Sequence, residues 1–276
     1  MPLLFGVVAA VFLGASDFCA ARASRTVSSI TVARTALGMS LVVAPLLMLV
    51  RPVEWRLHDV LLSGVSGVAM TGGLLLLYRG YSVARMGIVA PTSSVLLTAV
   101  PIVYDLTTGV TPSALAAFGM ALGLAALVLT SYTPGGSGSA RMGLVFGVGS
   151  GVLFGIAFTL MGAVSKAAGL MPVFVQRGFG FTLIALATPL FKVPFIVTTA
   201  PARKYTIAAA AFATCAIGSL QFAFSDGATG IVSVAASQFA AVAVILAVVF
   251  NKEHLRWWQT IGVGVTAVGV ALMALG

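Results

Sequence analysis

The sequence predicts an all-α integral membrane protein with ten transmembrane helices, arranged as two five-helix repeats of inverted topology. Only 8% of the 276 residues are charged and 60% are apolar or aromatic, whereas a soluble domain carries about a quarter of its residues as charged side chains. Apolar runs of roughly 20 residues, each long enough to cross a hydrocarbon core about 30 Å thick, fill most of the chain. The two halves of the chain also resemble each other.

The ten predicted helices follow one another with short connections. Only helices or closed barrels satisfy their backbone groups in lipid, and these continuous runs lack the alternation of barrel strands. The predicted spans are 3–21, 29–50, 60–78, 86–106, 113–131, 143–165, 171–191, 206–224, 230–250 and 257–275.

A Gly/Ser-rich stretch at 132–141 divides the chain into a first repeat, 1–131, and a second repeat, 142–276. A shift of 143 residues aligns helices 4–5 with helices 9–10 without a gap, and a shift of 141 aligns the start of helix 1 with the start of helix 6. Such self-similarity is the mark of a duplication. Matched residues include Gly6 and Gly147, Gly87 and Gly230, Ser94 and Ser237, and Arg34 and Arg177.

The basic residues of the connections predict that the two repeats are inverted. In the first half, four arginines follow helices 1 and 3 and two follow helices 2 and 4; in the second half, one lysine follows helices 6 and 8 and five basic residues follow helices 7 and 9. Corresponding connections therefore exchange charge, as two copies of opposite orientation require under the positive-inside rule. Inverted repeats are typical of secondary transporters that hold their substrate between the copies.

Three motifs resemble one family. The stretch 78–91, its partner 225–237 and the segment 251–255 before Gly262 are similar to the helix junctions and the last-helix signature of EamA-type proteins, the ten-helix branch of the drug/metabolite transporter superfamily. An arginine early in the second helix of each repeat is also similar. The first repeat departs from the signature, because Val110 stands where the second has Glu253.

The resemblance implies a multi-pass protein of the cell membrane that moves small metabolites, such as amino acids, or drug-like compounds by alternating access. The direction that it implies is outward, as in an exporter. It also implies cytoplasmic termini. The loop charges indicate the reverse, since ten Lys and Arg residues lie opposite the termini and three on their side. The orientation is therefore open at this stage.

Asp17 is the one acid clearly inside a predicted span. A charge deep in the bilayer usually faces a cavity or a partner. One interpretation is a carboxylate that couples transport to protons or binds a cation. A second is an ion pair with Arg34, which lies about one turn inside helix 2 at a similar depth, and a third is snorkelling to the interface.

Arg177 is the counterpart of Arg34, but Phe158 stands where the second repeat would need a counterpart of Asp17. Its expected neighbour is Asp105, near the end of helix 4. Arg177 is interpreted either as an interfacial anchor of helix 7 or as a contact for an anionic group of a substrate, such as a carboxylate.

Polar and aromatic residues on helices 3, 4, 6, 8 and 9 are the remaining candidates for a substrate path. Hydroxyl and amide groups in membrane helices either line such a path or bond to the preceding turn and to neighbouring helices. The candidates are Tyr78, Thr92, Ser93, Ser94, Phe158, Gln221, Phe222, Ser233, Ser237 and Gln238.

Other functional classes lack their motifs. The two histidines lie near connections without a metal-binding spacing, and neither a nucleophile elbow nor a phosphate-binding loop is present, so we expect no enzyme, metal or cofactor. Scattered basic residues do not predict nucleic-acid binding. Expected partners are a small-molecule substrate and the lipid bilayer, with the protein a monomer or a homodimer. A channel-like protein or a membrane sensor that does not transport is the alternative.

Overall fold

The structure, a computed structural model, describes residues 1–83, 86–131, 139–251 and 256–276. These residues form α-helices joined by short connections, with single 3-10 turns at Lys166–Ala168 and Thr188–Phe191 and no strand. The helices are α1 (Pro2–Ala23), α2 (Ser29–Leu47), α3 (Leu57–Val83), α4 (Met86–Thr107), α5 (Ala114–Ser131), α6 (Ala140–Gly162), α7 (Met171–Ala187), α8 (Ala200–Asp226), α9 (Thr229–Ser237), α10 (Phe239–Asn251) and α11 (Trp257–Leu275).

Seven of these helices are long and apolar enough to cross a membrane, namely α1, α2, α3, α6, α7, α8 and α11. The helical stretches Thr92–Thr107, Ala114–Leu129 and Thr229–Ala243 are apolar but shorter. The prediction of an all-helical, multi-pass membrane protein is thereby confirmed. The midpoint of the Gly/Ser stretch, 132–138, and most of the motif at 251–255 lie outside the described residues.

The predicted ninth span, 230–250, is two helices rather than one. The helix is interrupted at Gln238. The backbone N–H of Gln238 bonds to the carbonyl of Ala235 at 3.3 Å, which makes a tighter turn than that of an α-helix. The Gln238 side chain donates to the Gly123 carbonyl at 3.3 Å and accepts from the Thr266 hydroxyl at 3.1 Å. This amide therefore fixes the break against α5 and α11.

One end of the helix bundle carries the chain termini and the connections α2–α3, α4–α5, α6–α7 and α8–α9; we call it the terminal end. Its connections contact one another. The Glu54 backbone N–H donates to the Ala167 carbonyl at 2.9 Å, and Pro2 packs against Gly227. The terminal end is therefore bonded across several helices.

The other end carries the connections α1–α2 and α7–α8; we call it the basic end. Basic residues lie in these connections and in the adjacent helix turns, namely Arg22, Arg25, Lys192, Arg203 and Lys204. Here the Thr31 hydroxyl donates to the Pro194 carbonyl at 2.7 Å. A small apolar cluster of Ala23, Val32, Val197 and Ala202 packs beside this bond.

The largest apolar cluster closes the half of the bundle nearer the terminal end; we call it the terminal cluster. It draws on the last turns of α2 and α8 and on the first turn of α7, which places it at that end. Its buried members are Ala9, Ala44, Leu97, Phe158, Met161, Leu170, Val173, Ile217, Leu220, Ala223, Phe224, Val232 and Ala236.

Candidate functional site

Among the residues that the structure describes, five buried polar side chains inside the bundle keep an atom without a hydrogen-bond partner; we call them the unpaired set. Buried polar atoms in folded proteins are nearly always bonded, because an unbonded one costs free energy. Such atoms therefore indicate places where a ligand or water completes the bonding. They are Nη1 and Nη2 of Arg34, Oε1 of Gln176, Nε of Arg177, Oε1 of Gln221 and Oγ of Ser233.

Arg34 lies on α2 under the segment that follows α7. Its side chain is 4% exposed, and its guanidinium carbon lies 4.2 Å from the centre of the Phe195 ring. The Asp17–Arg34 ion pair predicted as one interpretation is wrong for this conformation, because neither group bonds to the other and Phe195 covers the guanidinium instead. The segment is held there by the bond from Thr31 to Pro194.

Asp17 lies on a stripe of α1 that faces the inside of the bundle. The stripe begins at Gly6, which packs against the Val232 carbonyl of α9. Along it Gly6 and Ala10 are buried, Leu13 is half-buried and Asp17 is exposed. The exposed fraction of the side chains along this stripe therefore rises toward the basic end.

An open cavity of about 540 Å³ lies at the basic end between α1 and α8. The Arg22 guanidinium lies 5.3 Å from the centre of the Tyr205 ring beside it. The cavity is lined by Cys19, Ala200, Pro201, Lys204, Tyr205 and Ala208.

Arg34 lies at the depth of this cavity. On α2, Val32 packs in one cluster with Ala202 of α8, and the Ser40 hydroxyl donates to the Ala210 carbonyl of α8 at 3.2 Å. The two helices therefore run side by side in the same direction. Arg34 falls between those two levels, beside the cavity-lining part of α8.

Arg177 lies deeper in the bundle. Its Nη2 donates to the Ala213 carbonyl of α8 at 3.0 Å, which is about 13 Å beyond the level of Arg34 at roughly 1.5 Å per helical residue. On α7, Arg177 follows Val173 of the terminal cluster by one turn. From the basic end inward, the order is thus the cavity, Arg34, Arg177 and the terminal cluster.

The expected neighbour of Arg177, Asp105, lies elsewhere. Its carboxylate accepts from the Gly230 backbone N–H at 2.5 Å, at the start of α9, where the helix dipole favours an anion. Arg177 lies nearly two turns inside α7 and not at the edge of that helix. The expectation of an Arg177–Asp105 contact, and that of an interfacial position for Arg177, are therefore wrong.

Three candidates lie at the terminal cluster. Phe158 is part of it, with its ring centre 5.7 Å from that of Phe224. Gln221 is 2% exposed and follows Leu220 of the cluster. Phe222 is partly buried and packs against the cluster, and the Arg51 guanidinium carbon lies 4.5 Å from its ring centre.

Two of the three α4 candidates face α6. The Ser93 hydroxyl accepts from the Ser150 hydroxyl at 3.0 Å, and Thr92 packs against Gly147. The backbone carbonyl of Ser94 accepts from the Thr98 hydroxyl within α4 at 3.5 Å. None of the three side chains is in the unpaired set.

The remaining candidates also take part in helix packing. Tyr78 lies partly buried with Phe181 and Ile184, on the side of α3 that contacts α7. The Ser237 hydroxyl donates to the Val234 carbonyl at 2.8 Å, and Gln238 holds the helix break described above. The structure therefore brings Gln221 and Phe158 together, and places Tyr78, Ser237 and Gln238 apart from them.

The sequence analysis missed Gln176 and Phe195. Gln176 Nε2 donates to the Ser66 hydroxyl at 2.9 Å and that hydroxyl donates to the Ala157 carbonyl, so the amide oxygen of Gln176 is the atom left unpaired. An amide directly before Arg177 in an apolar span was the available signal for Gln176. No pattern in the sequence marks Phe195 as the cover of Arg34.

No family model matches the chain, and no curated protein matches it either. Twenty-eight chains of solved structures do match. One of them, the crystal structure of a protein, superposes with a TM-score of 0.83 over 99% of this chain and 96% of its own, at 15% sequence identity. This likeness establishes that the fold occurs in a solved protein.

Proposed function

We propose that the chain is a secondary transporter of the EamA type, in which ten transmembrane helices form two inverted repeats. It moves small metabolites, such as amino acids, or drug-like compounds across the cell membrane by alternating access. The observation that carries this proposal is that one end of the helix bundle is closed and the other is open. The terminal end is closed by the terminal cluster, whereas an open cavity and the unpaired Arg34 lie at the basic end.

Matched hydrogen bonds support the inverted repeat. The Ser66 hydroxyl of α3 donates to the Ala157 carbonyl of α6 at 2.8 Å, and the Ser16 hydroxyl of α1 donates to the Ala209 carbonyl of α8 at 2.9 Å. Under the sequence shifts of 143 and 141 residues, Ser66 corresponds to Ala209 and Ser16 to Ala157. The same helix crossing is therefore bonded at the same place in both halves.

Matched glycine contacts support it as well. Gly6 of α1 packs against the carbonyl of Val232 on α9, and Gly147 of α6 packs against the carbonyl of Val89 on α4. Both members of one contact correspond in sequence to both members of the other. Two halves that pack alike can exchange conformations, which is how inverted repeats expose one site to either side in turn.

Asp17 is the proposed coupling group. It is an exposed carboxylate on the inward stripe of α1, and ionisable groups within transmembrane helices commonly relay protons or bind ions. The protein works in the bilayer without a further cofactor.

The test measures exchange of substrate across the membrane of proteoliposomes that contain the protein, with a reversible cross-link at the terminal end. Lys166 Nζ lies 2.9 Å from a carboxylate oxygen of Asp226, which joins the α6–α7 connection to the end of α8. In a background where Cys19 and Cys215 are replaced by serine, Lys166→Cys with Asp226→Cys is joined by a short thiol cross-linker that a reductant cleaves. We expect the cross-link to abolish exchange and the reductant to restore it.

The matched control is Glu54→Cys with Arg56→Cys, a pair at 2.6 Å inside a single connection. Cross-linking this pair leaves the two halves free, so exchange should persist. Saturable flux that is stimulated by substrate on the opposite side supports a transporter. Flux that is unsaturable and survives the cross-link at the terminal end would overturn alternating access in favour of a channel.

A further inference from the structure

Two arginines lie inside the bundle without a counter-ion among the described residues. Arg34 is 4% exposed and Arg177 is 8% exposed. Both unsubstituted nitrogens of Arg34 lack a hydrogen-bond partner, as does Nε of Arg177. A buried cation is stable in a membrane protein when an anion or a set of acceptors neutralises it.

The acidic side chains that the structure describes are all engaged elsewhere or exposed. Glu54 pairs with Arg56 and Asp226 with Lys166. The three others are Asp59, which binds Ser165, Asp105, which binds the start of α9, and Asp17, which is exposed. Within the described part of the chain, no carboxylate neutralises Arg34 or Arg177.

The available donor edges fit a carboxylate. The stacking of Arg34 on Phe195 fixes its guanidinium plane and leaves its two terminal nitrogens unbonded, the edge that binds a carboxylate with two parallel hydrogen bonds. Arg177 is held by the Ala213 carbonyl through one nitrogen and retains Nε. The two arginines therefore provide an outer and an inner position for one anion.

A second unpaired atom lies at the depth of the inner position, because Gln176 and Arg177 are consecutive residues of α7. Gln176 precedes Arg177 on α7 and keeps its amide oxygen unpaired. A ligand that has both a carboxylate and a hydroxyl group can accept from Arg177 and donate to Gln176. A zwitterion has no net charge, so its binding would leave the net positive charge of the two arginines unchanged.

We propose that this chain binds a small, net-anionic hydroxycarboxylate, with Arg34 receiving it from the basic end and Arg177 binding its carboxylate in the interior. The exposed Lys204 at the cavity adds to the positive field that draws an anion in. This inference rests on the proposed function for the direction of travel, but the binding site itself does not require transport.

The experiment compares four small probes of similar size with the purified full chain, by calorimetry in detergent and by exchange in proteoliposomes. Lactate has the carboxylate and the hydroxyl, propionate lacks the hydroxyl, alanine is the zwitterion and lactamide is neutral. Inorganic phosphate and a lipophilic cation complete the panel. We expect lactate to bind roughly tenfold or more tightly than lactamide, which lacks the charged carboxylate, and than alanine, whose ammonium group is repelled by the two arginines. Propionate should lie between.

Arg177→Gln removes the charge at the inner position and should weaken lactate binding by roughly tenfold or more. Arg141→Gln is the matched control, because Arg141 is exposed at the start of α6, and should leave the affinity unchanged. If Arg177→Gln does not fold, Arg177→Lys keeps the charge and loses Nε, and should still weaken binding.

The outcomes separate the two proposals. Lactate binding that depends on Arg177, without exchange of any probe, supports the site and overturns the transporter. Exchange of alanine or of the lipophilic cation in preference to lactate supports the transporter and overturns the anion site. Equal binding of phosphate and lactate overturns the assignment to a carboxylate, and a panel with no binding of any anion overturns the inference.

Discussion

The inward stripes of α1 and α6 start alike and end in opposite surroundings. Both begin with a glycine packed against a backbone carbonyl of another helix, Gly6 on α1 and Gly147 on α6. The α1 stripe ends at Asp17, which is exposed. The α6 stripe ends at the position matched in sequence, Phe158, which is 3% exposed and packed in the terminal cluster.

This difference indicates how one half of the chain can seal the bundle while the other half leaves its end open. A large aromatic side chain near the end of α6 packs into the terminal cluster, whereas the matched carboxylate near the end of α1 is exposed. The asymmetry between the two halves of the chain therefore lies in single residues rather than in the helix crossings, whose hydrogen bonds match. In the proposed cycle, closing the basic end requires helices to move, because the side chain of Asp17 is too small to seal that end as Phe158 seals the terminal end.

Phe158→Ala should have the largest effect on this comparison. Removing a buried aromatic ring leaves a cavity, and such substitutions cost about 3–5 kcal/mol in soluble cores. We expect a loss of unfolding free energy of about 3 kcal/mol in detergent, together with faster thiol labelling of Ala44→Cys in the terminal cluster, measured in a background without Cys19 and Cys215.

The control is Phe118→Ala on α5, where the ring is 58% exposed. It removes the same atoms without opening the terminal cluster, so the labelling rate should stay that of the parent. Equal labelling in the two variants would contradict the role of Phe158 as the seal.

Asp59→Ala should have the next largest effect. Asp59 is 1% exposed at the start of α3 and accepts from the backbone N–H of Ser165 at 3.0 Å and from its hydroxyl at 2.5 Å. Hydrogen bonds to a charged group contribute about 1.5–3 kcal/mol, so chemical denaturation should show a loss of about 2 kcal/mol. Glu54→Ala, which removes an exposed carboxylate from the same end, should change stability far less; similar losses in both would contradict the proposed tie.

The sequence was sufficient for the helical membrane fold because composition and run length report directly on the solvent, which here is lipid. The sequence was not sufficient to decide whether Asp17 and Arg34 form an ion pair. Equal depth along two helices does not fix the direction in which their side chains point, and that direction depends on how the helices rotate and pack. Phe195 covers Arg34 only because the segment after α7 folds back over α2.

Only part of the candidate site could be predicted, because the sequence does not show which neighbour each polar side chain packs against. Arg34, Arg177 and Gln221 stand out in sequence as charged or amide groups in apolar spans, and all three are buried with an unpaired atom. The hydroxyls of α4 stand out equally, yet Ser93 is bonded to Ser150 across a helix contact. Only the packing partner distinguishes a free polar group from a bonded one.

Asp17→Asn should have the smallest effect on stability. It tests the basic end, which is the open end of the bundle. Because Asp17 is exposed and makes no hydrogen bond or ion pair with the described residues, the substitution should change unfolding free energy by no more than about 0.5 kcal/mol. If Asp17 is the coupling carboxylate, exchange by this variant should lose its dependence on pH between pH 6 and pH 8, while the parent keeps it.

A double-mutant cycle decides whether Asp17 and Arg34 pair in any stable conformation. If Asp17→Asn and Arg34→Gln each lower stability and the double variant is no less stable than either one, the two groups interact, and the open basic end would then be a minor state. If the Asp17→Asn effect is absent and the Arg34→Gln effect is unchanged in the double variant, the carboxylate and the guanidinium are independent. Independence means that Arg34 is free to bind an incoming anion without first breaking a bond to Asp17.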